Sequence, residues 1–417
     1  MPPTDALPRL PSHVILSAAK DPSDSSPSSS PTPSTLPPTP SLLATLLAIK
    51  LTVLLLVFLA YALLPFFTDN YAINFVDPAY EEPSLASAFS TWDAQHYLYL
   101  SENGYHPGQM SNAFFPLLPA LIHLATPLTG GSSLIAGLVV ANLASLLGLF
   151  VLFKFLTELC GRALAENTLL LYLAFPTAFF FSLIYSESVF MLLVASFFLL
   201  LFRNRPGWAA VPAALAPLAR PEGVLLLVPF GVWYLVHTQG DWAARSRQLL
   251  SPRILPALAP LAGLGVYLAY MRLTTGNALE MLDAMRQYVS AHSLAYWLHP
   301  SELAQALGEW PLALHGFTNS VIDRLIFLAF LLLLVPMFRR LPAPLAWYAL
   351  VVGILNVASG TFMSYSRYVL LAFPVFLTAA ILLQRPTLRW LRLPLLFLFV
   401  LVQGLFVTMQ ALSYWVA

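Results

Sequence analysis

The stretch "TWDAQHYLYLSENGY", residues 91–105, sets an Asp, a His and a Glu among tyrosines. At helical spacing Asp93, His96, Tyr97 and Leu100 fall at i, i+3, i+4 and i+7, which is one face. Ser90 followed by Asp93 fits a capping box, and Gly104 fits a helix end, so the sequence predicts a short helix over 91–103. A carboxylate at this place has two uses. It can cap its own helix, the commoner role, with His96 and Tyr97 belonging to an interfacial belt. It can instead be a general base that takes a proton from an acceptor hydroxyl as that oxygen attacks an electrophilic carbon. His96 or Tyr97 would then orient the base or the substrate, and spacing alone does not choose between the two uses.

Three more polar groups interrupt the apolar chain: "YSES" at 185–188, "RPEG" at 220–223 and "SYSRY" at 364–368. Arg367 can snorkel to a membrane interface or clamp a phosphate through paired N–H donors. Glu187, Arg220 and Glu222 are costly enough near a membrane to count as site candidates, although Arg220 and Glu222 can also neutralise each other. There is no HExxH, CxxC, Walker or Rossmann pattern, and no Asp-x-Asp pair to hold a metal and a nucleotide sugar. An enzyme of this kind takes an activated substrate from the lipid phase. No cofactor and no obligatory metal are expected, because the acidic residues of the loop around Asp93 read as solvated.

These groups need a frame to hold them, and composition says which kind. The chain is 59% hydrophobic and 9% charged, with a mean hydropathy of +0.75, where an average soluble domain is about a quarter charged. The expected fold is all-α: a polytopic integral membrane protein with chemistry in its loops and helix ends. A net charge of +1 excludes a nucleic-acid partner, since no basic stripe exists. The single Cys160 excludes an intrachain disulfide framework. Residues 1–40 are Ser/Pro/Thr-rich and are expected to be a disordered tail. They lack the charged n-region, apolar core and cleavage site of a secretory signal.

About eleven spans are expected: near 41–67, 132–156, 167–185, 188–202, 207–219, 223–237, 254–271, 323–338, 344–358, 368–384 and 393–412. Residues 41–417 would form one transmembrane domain with outer loops 68–131 and 272–322. Loop 68–131 has no Lys or Arg but holds Asp69, Asp77, Glu81, Glu82, Asp93 and Glu102, as expected of a non-cytoplasmic loop. Lys154, Arg162, Arg203, Arg205, Arg245, Arg247, Arg253, Arg339, Arg340, Arg385, Arg389 and Arg392 then lie inside, with Arg9, Lys20 and Lys50 of the first segment. Only Arg220, Arg272, Arg286, Arg324 and Arg367 fall outside. Residues 113–128, short and Pro-broken, read as interfacial or re-entrant, and segment 272–322 reads as helices lying along the outer surface.

The blocks "WDAQHYLYLSENGY", "FFPLLPALIHL", "FPTAFFFSLIYSESVFMLL", "RPEGVLLLVP", "YLAYMRLTTGNALEML" and "SYSRYVLLAFPVF" resemble, in this order, the PIG-V type mannosyltransferases and their prokaryotic relatives, of the GT-C class of integral-membrane glycosyltransferases. The resemblance implies transfer of a hexose, typically mannose, from a polyprenyl-phosphate donor to an acceptor hydroxyl on the non-cytoplasmic side, with inversion. It maps the family's acidic residue onto Asp93 as the base. His96, Tyr97, Glu187, Arg220 and Glu222 become substrate-site candidates, and Arg367 a donor-phosphate candidate. "RPEG" departs from the family, in which Arg is often followed by Ser or Thr and Gly.

The Ala/Leu/Pro-rich composition points to a bacterial plasma membrane, where the acceptor would be some other glycolipid, glycan or protein. Two rival classes fit an apolar chain with polar breaks. A transporter or lipid flippase would place charges mid-span and carry an internal repeat. A non-catalytic lipid-glycan binding subunit of an envelope complex would bind a donor without turning it over.

Overall fold

The protein is seen here as a computed structural model that describes residues 42–73, 83–237, 251–288, 300–308, 313–316 and 320–417. The tail 1–40 lies outside the described residues, as do Asp77, Glu81, Glu82, Arg245 and Arg247. The described residues are helical, joined by short 3-10 turns, with a single isolated bridge between Ala313 and Ser320. This is the all-α architecture that the apolar runs predict.

Among the described residues, five helical stretches are long and apolar enough to cross a membrane: Leu42–Leu63, Ser133–Cys160, Pro252–Thr275, Val321–Arg340 and Arg389–Ala411. At 1.5 Å per residue the 22 residues of Leu42–Leu63 reach the ~30 Å of a hydrocarbon core. One further apolar pair is bent: Tyr365–Leu371 and Pro374–Leu382 meet at 87°, as a broken span or a re-entrant loop does, at a proline that cannot donate a backbone N–H. Of the other expected spans, 188–202, 223–237 and 344–358 fall on the shorter apolar helices Glu187–Phe202, Pro221–His237 and Ala343–Ala358, 207–219 falls on Pro206–Ala219, and 167–185 is interrupted after Ala174. Residues 113–128 form the short helices Leu117–Ala125 and Thr126–Thr129, too short to cross. In the segment 272–322 the described parts include the helices Glu280–Met285 and Pro300–Leu307.

The breaks decide where the site forms. Helix Arg162–Ala174 stops at Phe175, because the residue before Pro176 is pushed out of the α region. A 3-10 turn over Ala178–Ser182 follows, and a new helix starts at Glu187. Such a break frees backbone carbonyls that hydrocarbon cannot satisfy. Gln403 Nε2 donates to the Leu173 and Phe175 carbonyls at 3.0 and 2.8 Å, and Asn142 Nδ2 donates to that of Ser182 at 3.0 Å.

Lys50 serves the same break, which corrects its expected cytoplasmic place. It lies well inside Leu42–Leu63 and is buried. Its Nζ donates to Phe181 O at 2.8 Å, Ser145 Oγ at 2.6 Å and Asn142 Oδ1 at 3.2 Å. An ammonium has three donors, and each has an acceptor here.

Candidate active site

The helix around Asp93 runs from Asp93 to Asn103 and ends at Gly104, whose φ of 74° suits a glycine. Its start corrects the expected capping box. Ser90 Oγ donates back to Ala86 O at 3.0 Å instead of capping the helix. The cap position is Trp92, in a left-handed backbone (φ 55°) that a bulky residue rarely adopts. Two contacts hold that conformation: Trp92 Nε1 donates to Tyr414 O at 3.1 Å, and its ring meets Trp415 edge-on at 5.0 Å. The strained residue stands immediately before Asp93, and such strain concentrates at functional sites.

Asp93 opens onto a cavity of about 200 Å³. Tyr97, Arg220, Glu222 and Arg367 also line it, with Tyr288 and Trp415 among the walls. Charged groups from four separate elements, all but Glu187 in this lining, form one chain. Arg367 Nη1 meets Asp93 Oδ2 at 2.6 Å, and its Nε donates to Glu187 Oε1. The same Glu187 oxygen accepts from Arg220 Nη1 at 2.7 Å. Arg220 Nε and Nη2 then meet Glu222 Oε2 and Oε1 at 3.2 and 3.3 Å. Three carboxylates against two guanidiniums leave one net negative charge. Arg367 also lies over the rings of Tyr185 and Phe180, at 4.7 and 4.8 Å.

The sequence "RPEG" builds its part of this chain through backbone geometry. Pro221 forces Arg220 into an extended conformation that ends the helix Pro206–Ala219. The 3-10 turn Pro221–Leu226 then folds back onto that helix. A Cβ on Gly223 would stand 2.2 Å from the Ala216 carbonyl carbon, so only glycine allows the return. Arg220 and Glu222 thereby face each other, as the neutralising alternative expects, and Arg220 also reaches Glu187.

Of the seven expected residues, Asp93, Tyr97, Arg220, Glu222 and Arg367 line the cavity. Glu187 is fully buried behind them as the hub of both arginines. His96 is not in the lining. Its Nδ1 pairs with Ser111 Oγ at 3.0 Å, its Nε2 lies 3.4 Å from Tyr288 OH, and its ring stacks on Phe114 at 4.6 Å. It supports two wall residues rather than contacting Asp93. Burial pushes His96 down to about 3, so the ring is neutral at physiological pH. Tyr97 donates to Ser186 Oγ at 2.8 Å. Burial first, then the Asp93 and Glu187 carboxylates, hold its phenol well above the usual range.

Three participants had no assigned role in the sequence reading. Trp92 stands in the quoted motif, where its neighbour Asp93 drew the attention. Tyr288 and Trp415 arrive from distant parts of the chain, and no spacing pattern announces them.

Residues 42–228 match the family model for mannosyltransferase (PIG-V). The PIG-V resemblance is established over this segment. Six of the seven expected residues lie in the PIG-V-like segment, and Arg367 lies beyond it. A mouse protein, GPI alpha-1,6-mannosyltransferase 2, is 34% identical over 180 residues, which cover 40% of this chain and 35% of that relative's length. The chain is also similar to the crystal structure of ArnT from Cupriavidus metallidurans bound to undecaprenyl phosphate. That similarity has a TM-score of 0.50 at 14% identity and covers 89% of this chain and 77% of the other. At that identity the likeness is one of fold, a multi-pass GT-C-like membrane architecture.

Proposed function

We propose that the protein is a membrane glycosyltransferase that moves a hexose, mannose first among candidates, from a polyprenyl-phosphate donor to an acceptor hydroxyl, with inversion. Residues 41–417 act as one catalytic unit, with outer segments 68–131 and 272–322 facing the non-cytoplasmic side of a bacterial plasma membrane. The observation that carries this reading is the contact between Asp93 and Arg367 at the rim of the cavity. A carboxylate beside a guanidinium supports a reading in which one takes the proton and the other holds the phosphate.

In the reaction the acceptor oxygen attacks the anomeric carbon as the bond from that carbon to the phosphate oxygen breaks. Asp93 takes the hydroxyl proton. The bonding pair leaves with the lipid phosphate, and Arg367 offsets the growing charge. Arg220 is less available to the phosphate, because Glu222 occupies its bidentate edge. Tyr97 and the aromatic walls shape the sugar site. His96 acts at one remove, through Phe114 and Tyr288. The PIG-V family match supports the sugar, and a protein of the same fold bound to undecaprenyl phosphate supports the donor class. The acceptor is a glycolipid, glycan or protein.

The test is transfer of radiolabelled mannose from synthetic polyprenyl-phosphate mannose into lipid and protein fractions, in membranes holding wild type or Asp93→Asn at matched levels. Label with wild type alone supports both the reaction and the base. Equal label in both removes Asp93 from its role, and donor binding without transfer favours a binding subunit.

A further inference from the structure

The short helix Tyr365–Leu371 that carries Arg367 is tied at its far end by the Tyr172 and Tyr348 hydroxyls, which donate to the Leu370 and Leu371 carbonyls, and at its first turn by a grip on the residue before Arg367. Ser364 enters it in a left-handed conformation (φ 59°), and first-turn amides lack intrahelical acceptors. The Arg367 and Tyr368 amides turn back to Ser364 O at 2.8 and 3.1 Å. The Ser366 amide donates instead to Asp323 Oδ1 at 2.7 Å. The Ser366 carbonyl accepts from Thr177 Oγ1 at 2.8 Å. Both partners are buried, Asp323 at 1% exposure and Thr177 at 0%.

The two partners come from separate elements. Asp323 stands in the first turn of Val321–Arg340, where Ser320 Oγ accepts from its amide at 3.1 Å. Thr177 follows the break at Phe175 and Pro176. Ser366 is therefore gripped through both its N–H and its C=O, one residue before Arg367. A buried carboxylate is costly unless it is hydrogen-bonded. Asp323 neither lines the cavity nor joins the charge chain.

We propose that Asp323 is a positioning residue that fixes Arg367 through the Ser366 amide. This inference rests on the reading of Arg367 as the partner of the donor phosphate. Arg367 must meet Asp93 and Glu187 through two different nitrogens at once, so a shift of its backbone breaks one contact or the other. A displacement of about 1 Å in a positioning group costs on the order of 10²-fold in rate.

The experiment compares wild type, Asp323→Ala and Asp323→Asn in two readouts. Hydrogen exchange of a peptide spanning 360–372 reads the grip itself and needs no substrate. Transfer from polyprenyl-phosphate mannose reads kcat and KM. Asp323→Asn keeps an oxygen for the Ser366 amide, so it retains protection and most of the rate. Asp323→Ala exposes the peptide to faster exchange and loses kcat on the order of 10²-fold.

Unchanged exchange in a folded Asp323→Ala protein overturns the proposal. Faster exchange with undiminished transfer overturns it too, as does an Asn variant as impaired as Ala. Should Ala fail to fold, Thr177→Val releases the other side of the grip and is read in the same two ways; unchanged exchange or undiminished transfer there also counts against it. Absence of transfer by wild type strikes the donor reading and the catalytic consequence together, while the exchange result still judges the grip.

Discussion

Arg367 Nη1 stands 2.6 Å from Asp93 Oδ2, so the proposed base and the proposed phosphate partner are bonded to each other. A donor phosphate approaching Arg367 must share the guanidinium with Asp93 or displace it. Displacement frees a carboxylate oxygen at the moment that the acceptor hydroxyl needs a proton acceptor. Under the proposed reaction, arrival of the donor would prepare the base.

Asp93→Asn keeps an oxygen for Arg367 and removes the capacity to take a proton. The expected result is a loss of transfer of roughly 10²–10⁴-fold, the range of a positioned general base, with normal membrane insertion. Initial rates at matched protein levels check it.

Glu187→Gln leaves two arginines facing one another without their shared carboxylate, at a site with no solvent exposure. Removing one partner of a buried ion pair costs about 3–5 kcal/mol. The variant is expected to melt well below wild type in detergent, and following its thermal unfolding by size exclusion checks this. A similar Tm would mean that Glu187 is dispensable to the fold.

Glu222→Gln removes one negative charge from a site that carries one in excess, and keeps one acceptor oxygen for Arg220 in place of two. An anionic phosphodiester should enter more readily. The expected outcome is a lower donor KM with kcat little changed, read from donor titrations at low ionic strength.

His96 gives a pH signature in stability rather than in rate. Its folded-state value lies near 3, against the ordinary 6.5. In the unfolded chain His96 takes up a proton below about 6.5, while in the folded protein it resists until about 3. Acid therefore favours unfolding across that window, and stability falls as pH drops from about 6.5 toward 3. Wild type should lose Tm between pH 7 and pH 4 more steeply than His96→Gln. Because the ring stays neutral above pH 5, the two should share one pH–rate profile there.

The sequence legibly encodes the helical membrane class and the short helix that carries Asp93 and ends at Gly104, because apolar run length and local motifs are properties of neighbouring residues. The groups "WDAQHY", "YSES", "RPEG" and "SYSRY" were each legible as polar breaks in an apolar chain, and the structure brings them to one cavity. Who pairs with whom was not legible. Glu187 serving both Arg220 and Arg367, Lys50 serving a carbonyl far along the chain, and Asp323 holding Ser366 are tertiary facts without a local spacing. The capping box failed for a related reason: Trp92 is drawn into a left-handed turn by Tyr414 and Trp415, near the other end of the chain.

The chain of ion pairs also has an order in time. Glu187 and Arg220 stand at the ends of consecutive helices, Glu187–Phe202 and Pro206–Ala219, so they leave the ribosome close together and can neutralise each other during insertion. Arg367 is synthesised much later. Until it arrives, Asp93 lacks the cation that it meets in the folded protein, and an unpaired carboxylate is costly at membrane depth. Biogenesis is thus expected to keep Asp93 hydrated at the surface and to close the site last, when the "SYSRY" turn docks. A ribosome stalled before residue 364 would hold an inserted but still open protein.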